Sequence, residues 1–464
     1  MNQRDAIDAL RAALGADAVT SGEAIADDYT HDEALGATPQ VPLAVVQPCT
    51  TAEVAAIVRI ARDYALPITA RGSGTGLSGA CIPRAGGVVV SFERMHHIVE
   101  LDLDNHVAVV QPGVTLEQLD EATKEHGLVY PVFPGESSAS LGGNVATNAG
   151  GMRAVKYGVT RHQVLGLELV TGAGEVLRTG GKFVKATTGY DLTQLVVGSE
   201  GTLALVTEAT VRLYPRPQFA STVLAPFATL EDVTNAVPRV VVSGIGPLLV
   251  EYIDTITMDA IVKSKGVELG VAADVKAAAL AYLVIVLENR RDDRLEADVE
   301  ELGEVLAKLG ALDVYVLPSA AGTQLIEARE QAFWTAKAAG ADDIIDMVVP
   351  RAAMARYMAE VADVAQASGS FVVGCGHAGD GNVHLSVFQR DPQARHALLH
   401  DIFAAGMRLG GAISGEHGIG VQKKHHFMAL EDPAKIELMR RIKAVFDPDG
   451  VLNPGTIFDD FDDV

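Results

Sequence analysis

Residues 71–83 read RGSGTGLSGACIP and contain a Gly-x-Gly-x-x-Gly at Gly74, Gly76 and Gly79. In a doubly wound dinucleotide-binding unit that spacing opens a helix whose N-terminus faces the pyrophosphate. Here the next residues are ACIPRAGGVVVSFERM. Pro83 and the pair Gly86-Gly87 forbid a helix of useful length, and Val88 to Phe92 reads as a strand. What remains for so much bare backbone is a nest, a loop whose N–H groups wrap an anion directly. An ordinary glycine-rich turn would look the same, and this loop alone does not separate the two.

The flanks alternate strand and helix. Residues 41–46 read as a short buried strand. Thr50 and Glu53 make a capping box, Val54, Ile57, Val58 and Ala61 keep helical spacing, and Pro67 marks the end. Ile68 to Ala70 then enters the loop. Further on, a strand at HVAVVQP leads to a helix capped by Thr115 and Gln118 and stopped at Gly127. AVVQP and AVVQPGVT look like two copies of one βα unit, so two related subdomains are expected rather than one continuous sheet. Two more stretches are rich in small residues. PGESSASLGGNVATNAGGMRAVKYG, at 134–158, is expected to be a long functional loop; TTGYDLTQLVVGSEGTLALVTEATVRLYP spans 187–215. Beyond 217 the glycine-rich loops vanish. Helical patterns at roughly 229–240, 254–264, 291–309, 351–368 and 394–409 alternate with strands such as AYLVIVLE and ALDVYVLP. A domain boundary is expected near 215–217.

Charge narrows the function. Lys plus Arg number 37 and Asp plus Glu 60, a formal charge of −23. Such a chain is a poor partner for nucleic acid or an anionic membrane. Its 464 residues, 48% hydrophobic, suffice for two or three domains. Cys49, Cys81 and Cys375 lie far apart, so no disulfide, iron–sulfur cluster or thiolate zinc site is expected. The N-terminal pattern is an amphipathic helix with an acid in it, not a signal peptide, and no apolar run approaches ~18 residues. The expectation is a soluble cytoplasmic protein.

RGSGTGLSG, PGESSASLGGNVATNAGG, GYDLTQLVVGSEGTLALVTEATVRL, GHAGDGNVH, GEHGIG and FDPDGVLNPG occur in that order. Any one is weak evidence; together they span nearly the whole chain. The sequence resembles the FAD-linked oxidases and dehydrogenases of the vanillyl-alcohol oxidase type, in the branch of the D-2-hydroxyacid dehydrogenases. The resemblance implies an α+β fold: a FAD-binding domain of two α+β subdomains over 1–216, and a substrate and metal domain with a large antiparallel sheet over 217–464. The segment from about 420 to 464 is expected to return to the FAD domain. The resemblance places Arg71, Gly72, Ser73, Gly74, Thr75, Gly76 and Gly79 in the pyrophosphate loop. It places Pro134, Gly135, Ser140, Gly142, Gly143, Asn148 and Gly150 beside the flavin, with Glu200, Gly201, Val206 and Asn453 completing the cofactor set. Some relatives attach FAD through a histidine where this chain has Thr75, so non-covalent FAD is expected.

GCGHAGDGNVHLSVF places His377 and His384 seven apart, which on one ideal strand would put them on opposite faces. AGDG is a turn, however, so His377 precedes it and His384 follows, with Asn382 on the face of His384. SGEHGIG adds Glu416 and His417. Two imidazoles and a carboxylate suit a divalent metal with open positions; taken singly, each histidine reads as an ordinary partly buried residue. The resemblance implies that His377, His384 and Glu416 hold the metal, zinc or manganese, and that His417 is the general base. It makes Arg329 the carboxylate-binding arginine, whose other reading is a surface residue paired with Glu327 or Glu330. Cys375 is a ligand on spacing grounds only. His425 and His426, after Lys423 and Lys424, read as a solvated charge run.

The implied chemistry removes a hydroxyl proton and a Cα hydride. The metal acidifies the hydroxyl, His417 takes the proton, and flavin takes the hydride. In the hydroxyglutarate branch a threonine four residues after the arginine and a lysine before the next strand's aspartate receive a second carboxylate. Here those positions carry Phe333, next to Trp334, and Ile345, before Asp346, so substrate contacts are expected at Arg329, Asn382, Phe333 and Trp334. The expected substrate is a monocarboxylate such as D-lactate; D-2-hydroxyglutarate, or a role as FAD subunit of a glycolate oxidase complex, is the alternative. Lys337 could supply the missing charge. An ether-lipid synthase, a non-haem iron protein and a non-catalytic FAD subunit are the competing readings. With no iron–sulfur or haem motif, electrons must leave to a quinone, a carrier flavoprotein, a cytochrome or oxygen. A homodimer is among the assemblies the resemblance allows.

Overall fold

The computed structural model describes residues 3–459. The capping box at Thr50 and Glu53 is present with both reciprocal hydrogen bonds and starts the helix Thr51–Tyr64. That helix buries Val54, Ile57 and Val58 against a four-stranded sheet in the order Val19–Ser21, Ala44–Val46, Val88–Ser91, Ile68–Arg71. The last three strands are parallel. No helix separates Ile68–Arg71 from Val88–Ser91, so the Gly-x-Gly-x-x-Gly lies in an irregular loop, as Pro83 and Gly86-Gly87 dictate.

The second βα unit folds apart from the first. Val107–Val110 and the helix Leu116–Lys124, capped by Thr115 and Gln118, belong to a five-stranded antiparallel sheet. Its order is Ile98–Asp102, Val107–Val110, Ala204–Arg212, Val164–Thr171, Val176–Gly180. One expectation fails here. Residues 134–158 are not loop throughout: Leu141–Thr147 and Ala154–Tyr157 are helical. The Ser140 side chain caps the first by accepting from the Gly143 N–H. Gly142 sits where a Cβ would lie 2.5 Å from Pro112, so that glycine permits close packing of a helix rather than freedom of a loop.

A seven-stranded sheet carries the rest, in the order Tyr315–Val316, Phe219–Phe227, Ala281–Asn289, Leu249–Asp254, Phe371–Gly376, Asn382–Phe388, Asp343–Val348. Every neighbouring pair is antiparallel. The strand expected at ALDVYVLP shrinks to two residues at the sheet edge. Helices Leu230–Val242, Asp292–Lys308, Met354–Ser368 and Pro392–Arg408 contribute to the core beneath this sheet. Near its C-terminus the chain crosses back to the first sheet. Leu452 bridges Ile68 in parallel, and the Asn453 amide donates to the carbonyls of Ala80 and Glu200.

Candidate active site

Strands Phe371–Gly376 and Asn382–Phe388 form a hairpin in which Cys375 faces His384 across the ladder. His377 begins the turn, and the next strand pairs His384 with Asp346. Both histidines thereby reach one point. His377 Nε2 and His384 Nε2 each lie 3.1 Å from Glu416 Oε1. One ligand atom from each of the three falls within 4.8 Å of the others. The AGDG turn thus unites two residues whose separation alone would have set them on opposite faces.

The other ring nitrogens meet two carboxylates that sequence reasoning missed. His377 Nδ1 is 2.7 Å from Glu251 Oε1, and His384 Nδ1 is 3.7 Å from Asp346 Oδ1. Both acids are fully buried. Burial works to raise both carboxyls, but the His377 and Arg329 charges pull Glu251 below its usual range, and His417 and His384 when protonated, with Lys423, do the same for Asp346. Asp346 also organises the Glu416 turn. Its Oδ2 accepts from the Ser414 hydroxyl at 2.6 Å and from the backbone N–H groups of Gly415, Glu416 and His417 at 3.1, 3.0 and 2.8 Å. A signal existed: each is the interior acid of a strand whose other acid stands at its end, LVEYID and DIIDMV, and a charge in a strand interior is retained only if paired.

A second triple, Asp346, His384 and His417, is equally compact. Its Asp346 Oδ2 is saturated by the four donors above, whereas among the described residues the Glu416 carboxylate has no donors besides the two imidazoles. His377, His384 and Glu416 therefore fit a cation better, with Glu251 and Asp346 orienting the imidazoles from behind. The buried His384 Nδ1 and Asp346 Oδ1 face each other at 3.7 Å, just beyond hydrogen-bond distance, on the side of the ring away from Glu416. Cys375 is buried, its thiol is raised by that burial, and it joins neither triple among the described residues.

His417 stacks on His384, ring centroids 5.1 Å apart. Burial, with Lys423 and His384 nearby, pushes its imidazole down to about 4 in spite of Asp346. It is neutral at pH 7 and can accept a proton. Arg329 is not the surface residue of the alternative reading. It is 6% exposed and its Nη2 lies 2.8 Å from Glu251 Oε2. That pair is close but misaligned, and Nε and Nη2 have no hydrogen-bond partner.

Two cavities meet at this cluster. The first is a cleft between the two N-terminal sheets, lined by Arg71, Gly72, Ser73, Gly74, Thr75, Gly76, Pro134, Ser140, Gly142, Gly143, Glu200, Gly201, Val206 and Asn453. The N–H groups of Gly74, Thr75 and Gly76 donate to no protein acceptor among the described residues, which fits the anion nest. Gly74 must be glycine, since its φ is +76° and a Cβ would strike the Arg71 guanidinium. That guanidinium braces the loop from behind, donating to the His31 carbonyl at 2.7 Å. Four expected cofactor residues stand outside the cleft. Gly79 packs on Val421, and Gly135 lines the second cavity. Asn148 ends a helix at φ 54° and accepts from the Arg161 N–H, while Gly150 lies against Glu416. Glu200 also ties the two halves of the chain together, since its carboxylate accepts from the Ile419 and Gly420 N–H groups, both at 2.8 Å.

The second cavity, about 480 Å³, is lined by Arg329, Phe333, His377, His384, Glu416 and His417 among others. Several expectations change here. Ile344, not Ile345, lines it. Alternation along Asp343–Val348 sends Ile345 into the core on the opposite face from Asp346. Asn382 lines neither cavity and lies against Gly415. Trp334 is 40% exposed and outside the lining. Lys337 covers the Trp334 ring and pairs with Glu33 at 2.6 Å, so it is not free to serve the cavity. The supposed solvated run is partly buried: Lys423 lies 3.8 Å from Asp346, and His426 stacks on His396.

The paired N-terminal subdomains, the cleft between them and the large antiparallel sheet define the flavoenzyme fold of the vanillyl-alcohol oxidase type. The solved structure of 4-ethylphenol oxidase from Gulosibacter chungangensis shares it, with a TM-score of 0.81 at 19% identity over 98% of this chain and 97% of that one. Residues 42–180 match the FAD binding domain family, and residues 216–457 match FAD linked oxidases, C-terminal domain. The chain belongs to the FAD-linked oxidases and is a FAD-linked oxidoreductase. An uncharacterized FAD-linked oxidoreductase of Mycobacterium tuberculosis is 55% identical over 95% of this chain and 96% of its own length. The D-lactate dehydrogenase of Archaeoglobus fulgidus is 38% identical over 89% of this chain and 90% of its own. Among the described residues no helix is long and apolar enough to cross a membrane.

Proposed function

We propose that this protein oxidises a monocarboxylic D-2-hydroxyacid, D-lactate or a homologue, to the 2-oxoacid, using non-covalent FAD and a divalent zinc or manganese ion. One observation carries the reading: Glu416 and His417 line both the glycine-walled cleft and the cavity that holds Arg329. Residues 1–216 then hold FAD, residues 217–464 hold substrate and metal, and the segment from about 420 returns to the first part. When bound, FAD supplies a hydride acceptor and the cation supplies acidity to the hydroxyl. The protein supplies everything else. Arg329, which lines the second cavity, offers its guanidinium to the substrate carboxylate, a planar donor suited to a planar acceptor. Glu251 holds Arg329 and His377 in fixed relation, so carboxylate and hydroxyl are positioned by one buried acid. His417, neutral and with Nδ1 toward Asp346 at 3.9 Å, accepts the hydroxyl proton at Nε2. The electron acceptor is a quinone, a carrier flavoprotein, a cytochrome or oxygen.

The decisive test is anaerobic bleaching of the flavin by D-2-hydroxyacids, with metal analysis of the same sample; no bleaching by any of them would end the reading. One variant and one denaturation test sharpen it. His417→Ala is expected to keep its metal and FAD yet reduce flavin roughly 10²–10⁴ times more slowly, the usual worth of a general base; metal loss in this variant would make His417 a ligand. Acid denaturation is expected to release all FAD to the supernatant, because Thr75 offers no imidazole for attachment. Yellow colour left in the precipitate would contradict that.

A further inference from the structure

The second cavity is much larger than lactate requires. At about 480 Å³ it lies within the roughly 300–1,000 Å³ that hold drug-sized ligands. At about 30 Å³ per water-sized group that is room for about 16 groups, shared between substrate, metal and any part of the flavin that enters beside Pro134 and Gly135, against about six non-hydrogen atoms in lactate. Its shape follows from strand alternation. Cys375, Val373 and Phe371 on one strand pair with His384, Ser386 and Phe388 on the next, and all six line the cavity. The floor therefore runs four residues from the imidazole cluster to the Phe371–Phe388 pair, about 13 Å at about 3.3 Å per residue.

Charge is confined to one end. The charged lining groups, Arg329, Glu330 and Glu416, belong to the cluster or adjoin it. The floor ends at Phe371, which is 49% exposed, and Phe388, and Ile256, Ala260 and Ala336 add apolar wall to the cavity. A second carboxylate placed along this path would meet no cation among the described lining residues. We infer that the preferred substrate is a D-2-hydroxyacid with an unbranched apolar side chain of about six to eight carbons. Its carboxylate and hydroxyl lie at Arg329 and His417, and its chain lies on the floor that ends at Phe371 and Phe388. With C–C bonds of about 1.5 Å, each advancing somewhat less than its length, a chain of eight to ten carbons in all reaches roughly 9–11 Å, most of the way along this floor.

This inference rests on the hydroxyacid reading above, and the experiment separates the two. Anaerobic flavin reduction is measured on the FAD-loaded, metal-replete protein with D-lactate, D-2-hydroxybutyrate, D-2-hydroxyhexanoate, D-2-hydroxyoctanoate and D-2-hydroxydecanoate. A buried methylene is worth about three- to fourfold, so kcat/KM is expected to rise at least about a hundredfold from three carbons to eight. Calorimetry with 2-oxooctanoate and pyruvate, which needs no turnover, is expected to show the same order. Ala260→Phe and, separately, Ala336→Phe are expected to lower the octanoate-to-lactate ratio of kcat/KM at least about tenfold by intruding from the wall on the space above the floor. D-lactate equal to or better than D-2-hydroxyoctanoate overturns the inference and leaves the hydroxyacid reading standing. A ratio unmoved in both variants overturns the placement of the chain, and flavin unreduced by every acid overturns both readings.

Discussion

His384→Ala is expected to lose the metal and to slow flavin reduction at least about 10³-fold, since a cation's charge stabilisation is worth several kcal/mol. FAD content is expected to stay at the wild-type level. The reason is spatial: His384 lies on the hairpin of the seven-stranded sheet, whereas the unpaired donors of the cleft lie at Gly74, Thr75 and Gly76. His377→Ala should behave alike, because both imidazoles present Nε2 to the same Glu416 oxygen. Glu416→Gln should weaken the metal less completely, an amide being the poorer ligand. Metal content by mass spectrometry and FAD by absorbance check all three. FAD lost while metal is retained would refute this division of labour.

Arg329→Leu is expected to do two kinds of damage. It leaves Glu251 with His377 as its one remaining partner, and breaking a buried ion pair costs up to roughly 3–5 kcal/mol. It also removes the cation offered to the substrate carboxylate, so kcat/KM should fall at least about 10²-fold. The two effects part company in a double variant. Adding Glu251→Leu removes the stranded charge, so denaturant unfolding should recover most of the lost stability while kcat/KM stays low. A single variant as stable as wild type, with KM unchanged, would show that Arg329 serves neither role.

How much of this was readable beforehand differs by element. The capping boxes at Thr50 and Thr115 are local arrangements between residues three apart, and both formed where the sequence puts them. The exclusion of a nucleotide-binding helix after Gly79 was equally local, because Pro83 and two glycines act on their own backbone. The helix Leu141–Thr147 was not legible, since its Gly142 serves contact with Pro112, about thirty residues away. The His377–His384–Glu416 cluster was readable as a set once the six segments were seen in order, though no single residue announced it.

Phe333 and Ile345 mark the limit of reading a pocket by sequence offset. Phe333 lines the second cavity, while its neighbour Trp334 turns outward under Lys337. Ile345 is lost to the core because strand alternation admits only every second residue, and register is set by the partner strand at His384 and Ser386. Glu251 is the clearest case. It stands more than 70 residues from Arg329 and more than 120 from His377 in the chain, and only the ladder of Leu249–Asp254 against Phe371–Gly376 brings it between them. By itself the sequence determined the local turns, caps and glycine-rich loops, because those are settled by the backbone limits of residues a few positions apart. Which acids stand behind the imidazoles, and which wall faces the substrate, was decided only by tertiary structure, because burial and strand register belong to segments that meet only when the sheet is complete.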